Sequence, residues 1–483
     1  MEIYGNRIKK SAELKALKQK KSFSKKYGYD PEAVYPLAAE PNSVIGKILG
    51  VKNLVISHDA PPVIDKKGII VGTIRMGYGH YRAAMAIASA ANSMGLTPYW
   101  LDLMSFKNAP SGKIIEHLNS LYSLGSRLSQ KFSLFNKLYW EPLNSEGFKK
   151  LTYNAADLHM TELMAQVYNS LPDTMPVVST HPWPSQAAIH AGMKNVINAI
   201  LDNWPMGLHL SEGAKQTTQG PSAYFGYRIL RNFDPDKPVL NPIPAKDIRY
   251  MGHFIDHELV SNIEKDCTAR MNRMKKNIPR RIILPIGGAG AQADIMKSIL
   301  LHLVPQMKRK EVVLFINSGD HREIFEMINK LLSDNGIITN TFTDWKDTES
   351  LMKKMSSSTL SGVYNFYNND TFAAVYTTNM LMRHSDFIIT KPSELAYYPI
   401  PKLMIKRVGG HEAWGAIRSA EIGDGTIECD TIPLILQSLD LMIKEDDLLT
   451  MYCENIIKHK KAGTYDGAYN VVKLAMSRKS GRA

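Results

Sequence analysis

The chain has 483 residues, 59 of them Lys or Arg and 46 Asp or Glu, for a formal net charge of +13 and a pI of about 9.3. Hydrophobic residues at 44% and charged residues at 22% describe an ordinary globular chain, long enough for two or three domains, and exclude the disordered, collagenous and disulfide-rich classes. Cys267, Cys429 and Cys453 are widely spread with no CxxC spacing, which argues against a disulfide framework, a zinc knuckle or an iron–sulfur cluster and fits a reducing cytoplasm.

The first 26 residues are charged throughout and lack the apolar core and small-residue cleavage site of a secretory signal. No later stretch reaches about eighteen consecutive apolar residues, so a spanning helix is not expected. Net positive charge draws polyanions, and nucleic acid, anionic lipid and phosphorylated substrates all qualify. Residues 1–50 read as a basic N-terminal extension, with Lys9, Lys10, Lys15, Lys18, Lys20, Lys21, Lys25 and Lys26 crowded together. Such a segment suits either a helix lying on the protein or an anionic surface, or a solvated tail.

At residue 68 the pattern changes. Gly68 to Ile74 is a short β-branched run, followed by Gly77-Tyr78-Gly79-His80 and an alanine-rich stretch to Ala90. This predicts a strand, a glycine turn and a helix. Two glycines let the backbone approach an oxyanion while the N–H groups at the helix start attract it. His80 sits where the helix dipole disfavours imidazolium, so a neutral ring there can donate, accept or take a proton. A tight turn with no ligand explains the glycines equally well.

Between 106 and 153, Leu118, Leu121, Tyr122, Leu124, Leu128, Phe132, Phe135, Leu138 and Tyr139 recur at helical spacing, interleaved with Arg127, Lys131 and Lys137. A basic amphipathic helix of this kind is suited to a bilayer interface, and its bland counterpart is a core-facing helix pair with a wet basic side. Strand-then-helix units recur at 177–191, 281–303 and 312–332, with further strands at 196–201 and 386–390. Asp202 follows the strand at 196–201, placed as a candidate base or as a cap for the Trp204-Pro205 turn. Alternation of this kind predicts an α/β protein with parallel sheets, in two doubly wound Rossmann-like domains meeting near residue 255. A second glycine turn, Gly287-Gly288-Ala289-Gly290, again follows a strand and precedes a helix. Two phosphate-competent turns facing a cleft suit a diphosphate-bearing ligand.

Beyond Asp386-Phe-Ile-Ile-Thr390 come Lys391-Pro-Ser393-Glu394 and then Gly409-Gly410-His411-Glu412. At these residues the sequence resembles the GT-B glycosyltransferases that include monogalactosyldiacylglycerol synthase, processive diacylglycerol glucosyltransferase and the lipid II N-acetylglucosaminyltransferase. Gly77 to His80, Ser179-Thr180-His181-Pro182, Asp202 and Gly287 to Gly290 fall in the expected order, over roughly residues 68 to 427. The resemblance implies that Glu394 holds the ribose hydroxyls of a uridine nucleotide, that His411 and Glu412 contact the donor sugar, and that the second glycine turn lies against the nucleotide or its diphosphate, with Lys391 and Ser393 on the donor side. Lys391 and Arg407 can supply positive charge to the departing diphosphate or simply be solvated. Gly77, Tyr78, Gly79 and His181 would form the acceptor or phosphate loop, with His80 near the reaction centre.

Two departures stand out. The family's glycine-rich insertion after Thr-Lys-Pro is missing, because Pro392 is followed directly by Ser393-Glu394. Galactolipid synthases carry an Asp just before the first glycines, where this chain reads Ile74-Arg75-Met76. His80 and Asp202 are therefore the candidate bases.

The expected organisation is an extension over 1–50, an acceptor domain over 51–255 with the amphipathic insert at 106–153, a nucleotide-sugar domain over 256–430, and helices over 431–483. The expected activity is inverting transfer of a hexose from a UDP-sugar to a lipid or lipid-linked acceptor. It would proceed without cofactor or metal, on the inner face of the cell membrane and without nucleic acid. The alternatives are a nucleotide-sugar epimerase of the same fold and a catalytically inactive GT-B binding protein.

Overall fold

The computed structural model describes residues 1–59, 61–132, 134, 137–138, 142–287, 292–355 and 359–479. Two compact units emerge, one comprising residues 1–256, 409–411 and 466–483, the other 257–408 and 412–465.

The first unit is built on an eight-stranded sheet. A two-stranded ribbon of β1 (Glu2–Ile3) and β2 (Asn6–Arg7) precedes it. The sheet contains β3 (Leu37–Pro41), β4 (Lys52–Ile56), β5 (Gly68–Thr73), β6 (Thr97–Asp102), β7 (Val177–Ser179), β8 (Val196–Ile200), β9 (Lys215–Thr218) and β10 (Ile248–Tyr250), in the spatial order β10-β9-β8-β7-β5-β6-β4-β3. Every pairing is parallel except that of β3 with β4. The β-branched run behind β5 explains its central place. Ile69, Ile70 and Val71 are fully buried, as a strand covered by helices on both faces requires. Truncating Ile69 or Ile70 to Ala would cost about 2–5 kcal/mol.

Helix α1 (Lys10–Tyr27) packs on α4 (Leu151–Thr161) and on α3 (Pro110–Lys131), while α2 (Gly79–Ser93) lies against β5 and β6. The basic N-terminal segment is thus a helix lying on the protein, joined by the buried side chains of Ile3, Ile8 and Ala16. Helix α5 (Pro182–His190) follows β7, and α6 (Pro221–Arg228) follows β9.

Helix α3 changes character along its length. Ile114 and Ile115 are fully buried, but Leu121, Tyr122 and Leu124 are 52%, 41% and 47% exposed, and Phe132, Leu134 and Leu138 beyond the helix are exposed too. Phe135 and Tyr139, together with the side chains of Arg127 and Lys131, lie outside the described residues.

The second unit carries six parallel strands: β11 (Arg280–Pro285), β12 (Val312–Asn317), β13 (Thr339–Phe342), β14 (Gly362–Phe366), β15 (Phe387–Thr390) and β16 (Lys402–Met404), in the order β13-β14-β12-β11-β15-β16. Helices Ala293–Lys308, Arg322–Asp334 and Thr371–Met382 make the crossovers. Lys402 and Asp424 form a fully buried ion pair at 2.6 Å, with Ser419 and Tyr465 hydroxyls donating to the same carboxylate at 2.6 and 2.9 Å. All of the charge on Asp424 is thereby answered inside the unit. The three cysteines are free and buried. Both units are doubly wound Rossmann-like α/β sheets.

Among the described residues, no helix is long and apolar enough to cross a membrane.

Candidate functional site

Strand order picks out one reversal point in each sheet. In the first unit the chain leaves β5 for β6 on one side and later returns to β7 on the other. In the second it leaves β11 for β12 and returns to β15. The crevice beyond the carboxyl ends at such a reversal is where open α/β sheets bind ligands. The loops after β5 and β7, and those after β11 and β15, are the segments that the sequence motifs singled out.

In the first unit, Gly77 has φ of +82° with nothing within 4 Å of the place a Cβ would take, so the glycine is needed for its left-handed backbone and leaves open space beside it. Helix α2 begins at Gly79 with no side-chain cap. His80 Nδ1 lies 2.7 Å from the carbonyl oxygen of Thr180, while the Thr180 hydroxyl donates to the His80 carbonyl oxygen at 3.0 Å. A carbonyl oxygen only accepts, so Nδ1 carries the proton and the lone pair of a neutral His80 is on Nε2. His181 is the N-cap of α5, its Nδ1 accepting from the Trp183 N–H at 3.2 Å, which places its own proton on Nε2. The two imidazoles meet edge to face, 4.8 Å between centroids. Burial, then the charges of His80 and His209, push the His181 pKa well below the usual range, so this ring is neutral.

Among the described residues no backbone N–H donates to Asp202. Its Oδ2 lies 3.1 Å from His209 Nε2. Burial acts to raise the Asp202 carboxyl, but the hydrogen bond and charge of His209, with the charges of His411 and His80, outweigh it and hold the group below the usual carboxylate range. Residues 409–411 group with the first unit, so the expected pair His411 and Glu412 is divided between the two.

Below the glycine turn, Asp102 closes β6 beside Thr73 of β5, where Tyr81 Oη and the Met104 N–H donate to it. Burial pushes it up to about 6 despite these two hydrogen bonds and the charge of Arg75. Asp157 of α4 is buried as well, and burial, offset in part by the Trp183 indole, raises it to about 7.

In the second unit, Gly287 follows β11, and a Cβ there would sit 3.6 Å from Lys391 Cε; His321 Nε2 donates to its carbonyl oxygen at 3.1 Å. Gly288, Ala289 and Gly290 lie outside the described residues. Lys391 pairs with Glu412 Oε1, and the Val408 N–H donates to Glu412 Oε2 at 2.8 Å. Both Glu412 oxygens are therefore engaged in holding the turn at 408–412. Arg407 pairs with Glu428 in the same way, so neither cation named by the sequence motifs is uncompensated. The Ser393 N–H donates to the Lys391 carbonyl oxygen at 2.8 Å, which folds the chain tightly after β15. Glu394 opens the following short helical turn, half-buried, and among the described residues its carboxylate has no hydrogen-bond or ion-pair partner.

His80, His181, Asp202 and the Gly77–Gly79 turn thus come together in the first unit; Gly287, Lys391, Ser393, Glu394 and Glu412 come together in the second. Sequence reasoning missed His209, Tyr227 and Asp102. An Asp closing a predicted strand marks Asp102, but His209 and Tyr227 carry no local signal. Among the described residues there is no group of three His, Cys, Asp or Glu that could hold a metal ion.

Two family models match the chain in succession, one described as Domain of unknown function (DUF6937) over residues 2–229 and one as Domain of unknown function (DUF6938) over residues 243–476. A comparison with curated protein sequences finds no match. Among solved structures the chain is similar to S. aureus MnaA in a co-structure with UDP, at 12% identity over 84% of this chain and 94% of that one, with a TM-score of 0.43. It is similar to a UDP-forming α,α-trehalose-phosphate synthase from Burkholderia xenovorans at 8% identity over 86% and 100%, TM-score 0.41. A glycosyltransferase from Rickettsia africae ESF-5 shares 12% identity over 85% and 97%, TM-score 0.39.

Proposed function

We propose that the protein is an inverting glycosyltransferase that moves a hexose from a UDP-sugar to the hydroxyl of a lipid or lipid-linked acceptor. One observation carries the reading: in each unit a glycine, Gly77 in the first and Gly287 in the second, and polar side chains meet at the reversal point of a parallel sheet, where a nucleotide and a hydroxyl-bearing acceptor can each be held. In the second unit, Glu394 accepts two ribose hydroxyls and the turn at Gly287 lies against the diphosphate. In the first, the acceptor oxygen attacks the anomeric carbon as the bond to the diphosphate breaks, and its proton passes to His80 Nε2. The hydrogen bond from Nδ1 to Thr180 aims that nitrogen before the substrate arrives.

The membrane part of the reading rests on the surface of the first unit. Leu121, Leu124, Phe132, Leu134 and Leu138 are exposed, and α1 alongside exposes Leu14 and Leu17 together with Lys10, Lys15, Lys18, Lys21, Lys25 and Lys26. Phe23 and Tyr27 of α1 touch the His117 ring of α3 at 6.3 and 6.0 Å, so the two helices present apolar and basic residues side by side. Apolar side chains enter the interface while lysines meet anionic headgroups.

The test is release of UDP from a panel of UDP-sugars, with and without detergent-dispersed diacylglycerol and polyprenol acceptors, followed by product analysis. A new glycosidic bond supports transfer. A changed sugar configuration with no acceptor consumed means epimerisation, and binding without turnover means an inactive nucleotide-sugar protein.

A further inference from the structure

Asp202 stands two residues beyond β8, and what surrounds it comes from further along the chain. His209 Nε2 is 3.1 Å from Asp202 Oδ2, His209 Nδ1 is 2.6 Å from the Tyr227 hydroxyl, and that hydroxyl donates to the Trp204 carbonyl oxygen at 3.1 Å. A carboxylate only accepts, so Nε2 carries a proton and donates it to Asp202, while Nδ1 is held against the Tyr227 hydroxyl. The ring is then held at both nitrogens, and the series ends on a backbone carbonyl that cannot turn. Tyr227 is fully buried and the His209 side chain is 9% exposed, whereas 36% of the Asp202 side chain is exposed. The supports lie inside, and Asp202 is the most exposed side chain of the series.

We propose that His209 and Tyr227 are positioning residues that hold Asp202 as a fixed, anionic hydrogen-bond acceptor for a hydroxyl group of the ligand bound by the first unit. The identity of that ligand as a glycosyl acceptor rests on the function proposed above; the relay does not. The titratable groups that face Asp202 are His209, His411 and His80, all of which favour its charged form. A carboxylate kept ionised accepts from a neutral hydroxyl and repels a phosphate ester in the same place, so the relay favours an uncharged polyol or alcohol over a phosphorylated one. Fixing the carboxylate in advance also spares the ordering that a free side chain would undergo on binding.

The relay is tested by carboxyl NMR on protein labelled at Asp Cγ, with Asp202→Asn to assign the resonance. His209→Gln retains a donor toward Asp202 but removes the ring, and Tyr227→Phe removes only the hydroxyl. The Asp202 midpoint is expected to rise by at least about one pH unit in His209→Gln and by less in Tyr227→Phe. Donor turnover should fall about 10- to 100-fold in kcat with KM for the donor unchanged. A purely structural role would lower the melting temperature and leave the Asp202 midpoint at its wild-type value, which overturns the proposal. If a variant does not fold, the unmodified protein decides: long-range proton–nitrogen spectra of labelled histidine should show His209 Nε2 carrying a proton, and a bare Nε2 overturns the relay. A wild-type protein that turns over no UDP-sugar but shows the carboxyl shifts refutes the glycosyl-transfer reading and leaves the relay standing.

Discussion

His80 Nδ1 and the carbonyl oxygen of Thr180 are 2.7 Å apart, and the Thr180 hydroxyl returns a hydrogen bond to the His80 carbonyl oxygen. One hundred residues separate the pair in sequence, yet together they tie the loop after β5 to the loop after β7. The same bond fixes the tautomer that leaves Nε2 as the basic atom. His80→Ala should therefore lower kcat by roughly 10²–10⁴-fold with little change in donor affinity. Steady-state kinetics with calorimetric UDP binding measure both quantities, and full turnover in the variant removes His80 from the chemistry.

Glu394 is a carboxylate at the reversal point of the second sheet with no partner among the described residues. Nothing in the fold depends on it, so Glu394→Ala should melt like the wild type. Losing its hydrogen bonds to ribose should weaken UDP binding by about 1.5–3 kcal/mol, roughly 10- to 150-fold in Kd. An unchanged Kd by titration calorimetry excludes the role.

Burial raises Asp157 to about 7 and Asp102 to about 6, both above the ordinary value of 3.8. Between these limits the folded chain binds protons that the unfolded chain has released, so both groups make stability fall as pH rises through that window. Asp157→Asn removes its own share. Relative to wild type, the variant should gain about 2–3 kcal/mol on going from pH 5 to pH 8 in urea unfolding. An equal difference at the two pH values would mean that Asp157 does not titrate in this window.

Docking of the first unit on a bilayer should depend on charge and on apolar area separately. Each lysine near an anionic surface contributes about 1 kcal/mol, an attraction that fades within a Debye length of roughly 8 Å. Sedimentation with vesicles should thus rise with anionic lipid, fall with salt and keep a salt-resistant remainder. Replacing Leu121, Leu124 and Phe132 together with Ser should abolish that remainder. Protein left in the supernatant with anionic vesicles at low salt would sink the membrane reading.

Local pattern determined a good part of this protein. The β-branched run at 68–74 became the central strand β5 because residues buried on both faces must all be apolar, and each glycine turn after a strand marked a carboxyl-end loop. The helical spacing after Phe106 was legible too, but periodicity does not say where burial stops. Packing buries Ile114 and Ile115 and leaves Leu121 and Leu124 in water. Partnership between distant residues was decided only by the tertiary structure. Asp202 reads in sequence as a base or as the cap of a Trp-Pro turn; in three dimensions His209 and Tyr227, brought from 7 and 25 residues downstream, stand behind its carboxylate. Lys391 and Arg407 read as charges available for a diphosphate, and the fold spends them on Glu412 and Glu428. The reason is the same in each case: side-chain type and spacing set which elements form and which face is apolar, whereas the ionisation and aim of a polar group depend on neighbours that only sheet order brings within 3 Å.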